Sequence, residues 1–191
     1  YNLLINFLEN NIFKIEKLIG KFLKSIFVII ENKQILNHHI GIKKKNYEKK
    51  IDKKSLESSL IELKDLFKEN YPDNKIMHII ISRYLIDGVN HSTFDKEIIG
   101  NHMCIELKFI SVPLSLIREI NFVLEKYQIK IDQYFDGEYL KSLFPEGSIS
   151  LPNFSIMASK MMGGFNQNEI KLVSKNIKKR GFFEKFFQLF S

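Results

Sequence analysis

The sequence predicts an α/β domain of the α+β kind, with a mixed or antiparallel sheet and packed helices. Three observations predict it. Segments of helical apolar spacing and β-branched runs follow one another as helix, strand, strand, helix, strand, strand, helix, strand. The 191 residues suffice for one domain with a substantial core. A composition 45% hydrophobic and 27% charged is that of a globular chain.

Apolar residues at 4, 8, 12, 15 and 19 make residues 2–19 one helical face, and Gly20 suits its end. "FLKSIFVIIE" (22–31) reads as a buried strand, "NK" (32–33) as a turn and "ILNHHIGI" as a second strand. "KKKNYEKKIDKK" (43–54) holds seven lysines in twelve residues and reads as a solvated loop. Ser55 is placed to cap the next helix, whose face is Leu56, Leu60, Leu63 and Phe67, with Pro72 beyond its end. "KIMHIIISRYLIDG" (75–88) is a long strand ending at Asp87-Gly88, residues 89–100 a loop, and "HMCIELKFISV" (102–112) another strand. Pro113 opens a helix with Leu116, Ile120, Val123, Leu124 and Tyr127 inward, and a strand follows at 129–137.

Beyond that the pattern weakens. Residues 138–152 read as a connector with one helical turn, 153–164 as a short helix ended by Gly163-Gly164, and 165–179 as a basic linker. The chain finishes with "KNIKKRGFFEKFFQLFS". Residues 170–191 carry six cations against Glu184, so +5 of the net +7 belongs to them. In a helix over 180–191, Phe182, Phe183, Phe186, Phe187 and Phe190 would share one face. The eleven residues 181–191 would rise about 16 Å, so such a helix would lie in a membrane interface and not span it. Anionic lipid would attract Lys175, Lys178, Lys179 and Arg180 by about 1 kcal/mol each.

Little points to chemistry. One cysteine, Cys104, allows no internal disulfide, fits a reducing compartment and reads as a buried small hydrophobe. His38 and His39 are adjacent and face opposite ways in a strand, so they cannot chelate one ion together. His78 and His102 lie in strands that could be neighbours, but zinc needs three or four ligands, and we assign no metal. Asp87-Gly88 and Asp136-Gly137 read as turns. No nucleophile motif or Gly-rich phosphate loop occurs, so we expect no catalytic residue and no cofactor. The basic loop has only Tyr47 to stack on a base, so nucleic acid is not expected as a partner. The first residue is Tyr, which suggests a fragment or a processed product, and nothing at the start has signal-peptide order.

"KIMHIIISRYLIDG" followed by "IGNHMCIELKFISVPLSLIREINFVLEKYQIKIDQYFDG" resembles the bacterial cell-division family FtsA. His78, Tyr84, Ile86, Asp87 and Gly88 match a block of the form "HxIPxxYxID", and Ile129, Ile131, Asp132 and Gly137 match "GLxVDxxxxxG". Upstream, "LKSIFVIIENKQILNHHIGI" is similar to "ISSVYVGISGxHIxSxNxxGxV". The proline of the first block is replaced, at Ser82 or its neighbour, and the histidine of the family's later strand has no clear counterpart.

The resemblance covers about residues 5–137. It implies a strand–helix–strand–strand (SHS2-type) module, a subdomain that the family inserts in an actin-like ATPase fold. The basic, aromatic end resembles the family's amphipathic membrane-targeting helix, with Lys178, Lys179, Arg180, Phe182, Phe183, Phe186, Phe187 and Phe190 as membrane-binding residues. The family's second phosphate loop should follow Gly137, where this chain has "EYLKSLFPEGSISLP". The resemblance therefore implies a reduced form without the nucleotide-binding subdomains. The expectation is a non-enzymatic adaptor on the cytoplasmic face of the bacterial inner membrane at the division site. Its implied partners are anionic lipid and other division proteins: further FtsA-like subunits, an FtsN-like tail and FtsZ. The alternatives are a PilM-like pilus-assembly adaptor and a degenerate remnant without activity.

Overall fold

A computed structural model describes residues 2–47, 53–91, 99–144 and 154–170. The chain divides into two compact units, one of residues 1–35 with 112–159 and the other of 36–111 with 160–191. The sequence reading placed 1–137 in one domain. In the chain, residues 36–111 of the second unit stand between the two parts of the first, and its remaining residues follow the second part. Both contain helices and strands, and the fold is α+β.

In the first unit, helix α1 (Asn2–Ile19) precedes strand β1 (Ser25–Ile30). Gly20, at φ +70°, ends α1, and the Lys21 N–H closes onto the Glu16 carbonyl at 3.2 Å. Only a residue without Cβ takes that left-handed conformation at low cost. β1 pairs in parallel with the strand Lys130–Asp136, with a register shift between Ile26 and Phe27. The helix Leu114–Glu125 precedes that strand, after Pro113, which stands just outside the helix at ψ 135°. Leu8, Ile12, Val123, Leu124 and Ile129 form the buried cluster between helices and strands. Ile117 is buried where the sequence placed Leu116.

The second unit begins with β2 (Leu36–Lys45), followed by α2 (Lys53–Asn70) and β3 (Asn74–Ile86). A short β4 (Val89–His91) and the long β5 (His102–Pro113) come next. The sheet order is β2-β5-β3-β4, and β2 is antiparallel to β5 over the whole of its length, Leu36 opposite Ser111 and Lys45 opposite His102. α2 lies on one face. Leu60, Leu63 and Phe67 are buried against Ile79, Ile105, Leu107 and Phe109. The Phe67 and Phe109 rings stack at 4.7 Å.

Four expectations are corrected here. Lys43–Lys45 belong to β2, because the ladder with β5 continues to His102 regardless of charge. Lys53 and Lys54 lie in α2, which begins before Ser55, so Ser55 is inside the first turn and its carbonyl accepts the Ser58 and Ser59 hydroxyls at 2.9 Å. Residues 89–91, read as loop, form β4.

The fourth concerns the segment after Asp136. With α3 the helix Leu114–Glu125 and β6 the strand Lys130–Asp136, the next element is α4 (Gly137–Leu143). The connector 138–152 therefore starts as a seven-residue helix, not one turn. Helix α5 (Phe154–Met162) ends at Gly164, φ +84°, as its glycines predict.

Truncating Phe109 to Ala should cost about 3–5 kcal/mol, because the side chain is fully buried and stacked on Phe67. Leu18→Ala, at an 86% exposed position, should stay within about 0.5 kcal/mol. Urea unfolding of both variants checks the assignment. Equal losses would mean that the α2-covered face is not the core.

Candidate functional site

The motif-bearing strand β3 ends in a two-residue hairpin turn. Ile86 pairs with Val89 across Asp87 and Gly88, whose φ angles of +48° and +85° are those of a type I′ turn. The Asp87 carboxylate reaches the start of β5. It accepts the Asn101 N–H at 2.9 Å and the His102 N–H at 2.7 Å, and His102 Nδ1 lies 3.6 Å away. Those backbone donors hold its pKa below the usual 3.8. A Cβ on Gly100 would collide with Ile86, so the chain crosses the turn too closely for another residue. Asn46, just after β2, donates its side-chain amide to the Gly100 carbonyl at 3.0 Å and its N–H to Asn101 at 2.6 Å. The exposed Asp87 carboxylate thus ties the end of β3 to the start of β5, and Asn46 ties the end of β2 to the same segment. The environment of Asp87, two backbone N–H donors with the His102 ring at 3.6 Å, suits a structural anion.

His78, near the other end of β3, is fully buried, and its Nδ1 lies 2.6 Å from Glu169 Oε1. Glu169 belongs to β7 (Glu169–Ile170), antiparallel to β3 with Ile80 opposite Glu169. The sequence reading put 165–179 in a basic linker and missed this strand. Two residues are too few to show a period, and the only signal was Ile170 at the end of the polar run "NQNE", which enters the core of the unit. β3 and β5 are neighbours, but antiparallel. His102 sits at the Asp87 end, nine strand residues or about 30 Å from His78, so the two histidines cannot share a metal. Among the described residues no group of three or more His, Cys, Asp or Glu could hold one.

His38 and His39 do face opposite ways. The His38 ring stacks on Tyr71 at 3.9 Å and meets Phe67 edge-on at 5.8 Å, while His39 is exposed. Cys104 is half-buried and free, not the core residue expected, because β5 alternates and its even positions 102–108 share the less covered face.

In the first unit Asp136 is not in a turn. It is the N-cap of α4, accepting the Glu138 and Tyr139 N–H groups at 3.2 Å. Gly137 packs closely against Glu31, which pairs with Lys141 at 2.5 Å. The chain after β6 therefore enters a capped helix.

The expected membrane-binding residues, Lys178, Lys179, Arg180, Phe182, Phe183, Phe186, Phe187 and Phe190, lie outside the described residues. Among the described residues no helix is long and apolar enough to cross a membrane. A scan against protein-family models and a search of curated proteins each find no match to this chain.

Because Asp87 has a lowered folded pKa, its contribution to stability is full above the ordinary value of 3.8 and is lost as pH falls through the folded value. Asp87→Asn should remove that acid-limb dependence while leaving the slope near neutral pH unchanged. Thermal melts of both proteins between pH 2 and 7 test it, and parallel acid limbs would refute the anchor role.

Proposed function

We propose that this protein is an FtsA-like adaptor of the bacterial division machinery, held at the cytoplasmic face of the inner membrane and acting through protein–protein contacts. One observation carries the reading. A strand, helix, strand, strand succession over Leu36–Pro113 falls in the chain between β1 and β6, which pair with each other in a separate unit, as the resemblance implies. The matched residues support it in place. His78, Tyr84, Asp87 and Gly88 lie on β3 and its turn, and Ile129, Ile131, Asp132 and Gly137 lie on or beside β6.

The composition of residues 175–191 supports membrane association. Lys175, Lys178, Lys179 and Arg180 precede five phenylalanines in the final ten positions. Aromatic and basic residues together give hydrophobic insertion and attraction to anionic headgroups. Partners on the protein side are further FtsA-like subunits, an FtsN-like tail and FtsZ. The adaptor reading is favoured over an enzyme because the sequence carries no phosphate loop and the chain after Gly137 forms α4.

Two measurements test the proposal. The chain should co-sediment with vesicles containing anionic lipid, and Phe183→Glu with Phe186→Glu should abolish binding. Neutral vesicles or high salt should weaken it. A wild-type chain that ignores anionic vesicles overturns the membrane reading. Calorimetric titration with Mg-ATP should show no heat of binding, and a micromolar dissociation constant would reveal a nucleotide site and remove the adaptor-only interpretation.

A further inference from the structure

β2 is the outer strand of its sheet, and among the described residues no strand pairs with its second edge. It is ten residues long and its register with β5 contains no bulge, so the edge is straight and continuous. Such an edge is a template for another strand unless something blocks it. Its polarity is legible from one bond. The Asn46 N–H donates to Asn101 in continuation of the Lys45–His102 register, so even-numbered residues of β2 bond to β5. The N–H and C=O groups of Asn37, His39, Gly41, Lys43 and Lys45 therefore point away from the sheet.

The two sides of this edge differ in charge. On the α2 side runs a groove of about 470 Å³, with Ile42, Ile61 and Leu66 as its apolar surface and Glu62, Asp65 and Glu69 along it. Lys44 lies on this side and is paired with Glu62 at 2.7 Å. On the opposite side Lys43 and Lys45 are exposed, and among the described residues no acid pairs with either. Glu106, the acid on the neighbouring strand, is held by Arg83 at 3.0 Å.

We propose that the free edge of β2 binds an extended segment of a partner protein by strand addition. Successive side chains of an added strand point to opposite faces. Those entering the groove meet the apolar surface of Ile42, Ile61 and Leu66, and Asp65 and Glu69 keep acids out of it. Those on the other face must be acidic, to meet Lys43 and Lys45. The edge thus selects an alternating apolar–acidic strand. A second copy of this chain is a poor occupant, since its β2 would bring two more unpaired lysines to the lysine-bearing face.

Fluorescence anisotropy of the full chain with a labelled ten-residue peptide alternating valine and glutamate tests this. The peptide should bind saturably, and its lysine-for-glutamate counterpart at least tenfold more weakly. Lys43→Glu with Lys45→Glu should reverse the preference. Both positions are exposed, and an unchanged far-UV spectrum would show that the variant folds. N-methylation of one alternating set of peptide residues should abolish binding, and of the other set should not, because only one set faces β2. Equal binding of both peptides, or equal effects of both methylation patterns, overturns strand addition. Self-association of the chain that the peptide fails to disrupt would put a second copy on the edge and also overturn it.

Discussion

The second unit depends on burying one face of its sheet beneath α2. Leu60, Leu63 and Phe67 recur every three or four residues and so form one stripe, and the stripe meets the inward residues of β3 and β5. The Phe67–Phe109 stack at 4.7 Å is the centre of this contact. Once that face is committed, every strand's alternation is committed too, since a slip by one residue would turn each core side chain to the opposite face. The positions of Lys43, Lys44 and Lys45 follow from it. Lys44 falls on the α2 side and finds Glu62, while its neighbours fall on the other side and find no acid among the described residues.

The polar residues that might have suggested catalysis are used in local architecture. Asp87 binds backbone donors where three strand ends converge, Asp136 caps a helix, and His78 is joined to Glu169 between two paired strands. Each arrangement satisfies a polar group that the fold would otherwise leave unpaired. These three groups are thereby accounted for structurally among the described residues. Two proposals concern separate features, strand addition at the edge of β2 and lipid attraction by the cations and phenylalanines of residues 178–190. They lie on different stretches of the chain and can be altered separately.

Much was determined by the sequence alone. Helices α1, α2 and α3 were legible because their apolar stripes are long, and β3 and β5 because their apolar runs are flanked by turn residues. The glycines that end α1 and α5 announced their left-handed conformations. Tertiary structure decided what periodicity cannot carry. β2 extends through three lysines because β5 offers it a ladder. β7 exists because β3 has an unfilled edge for Glu169 and Ile170. The division into two units was hidden as well, since β1 meets β6 only after about a hundred intervening residues, and pairing at that distance leaves no local pattern. Local propensity writes elements into a sequence, but which edges meet is settled by packing between segments far apart in the chain.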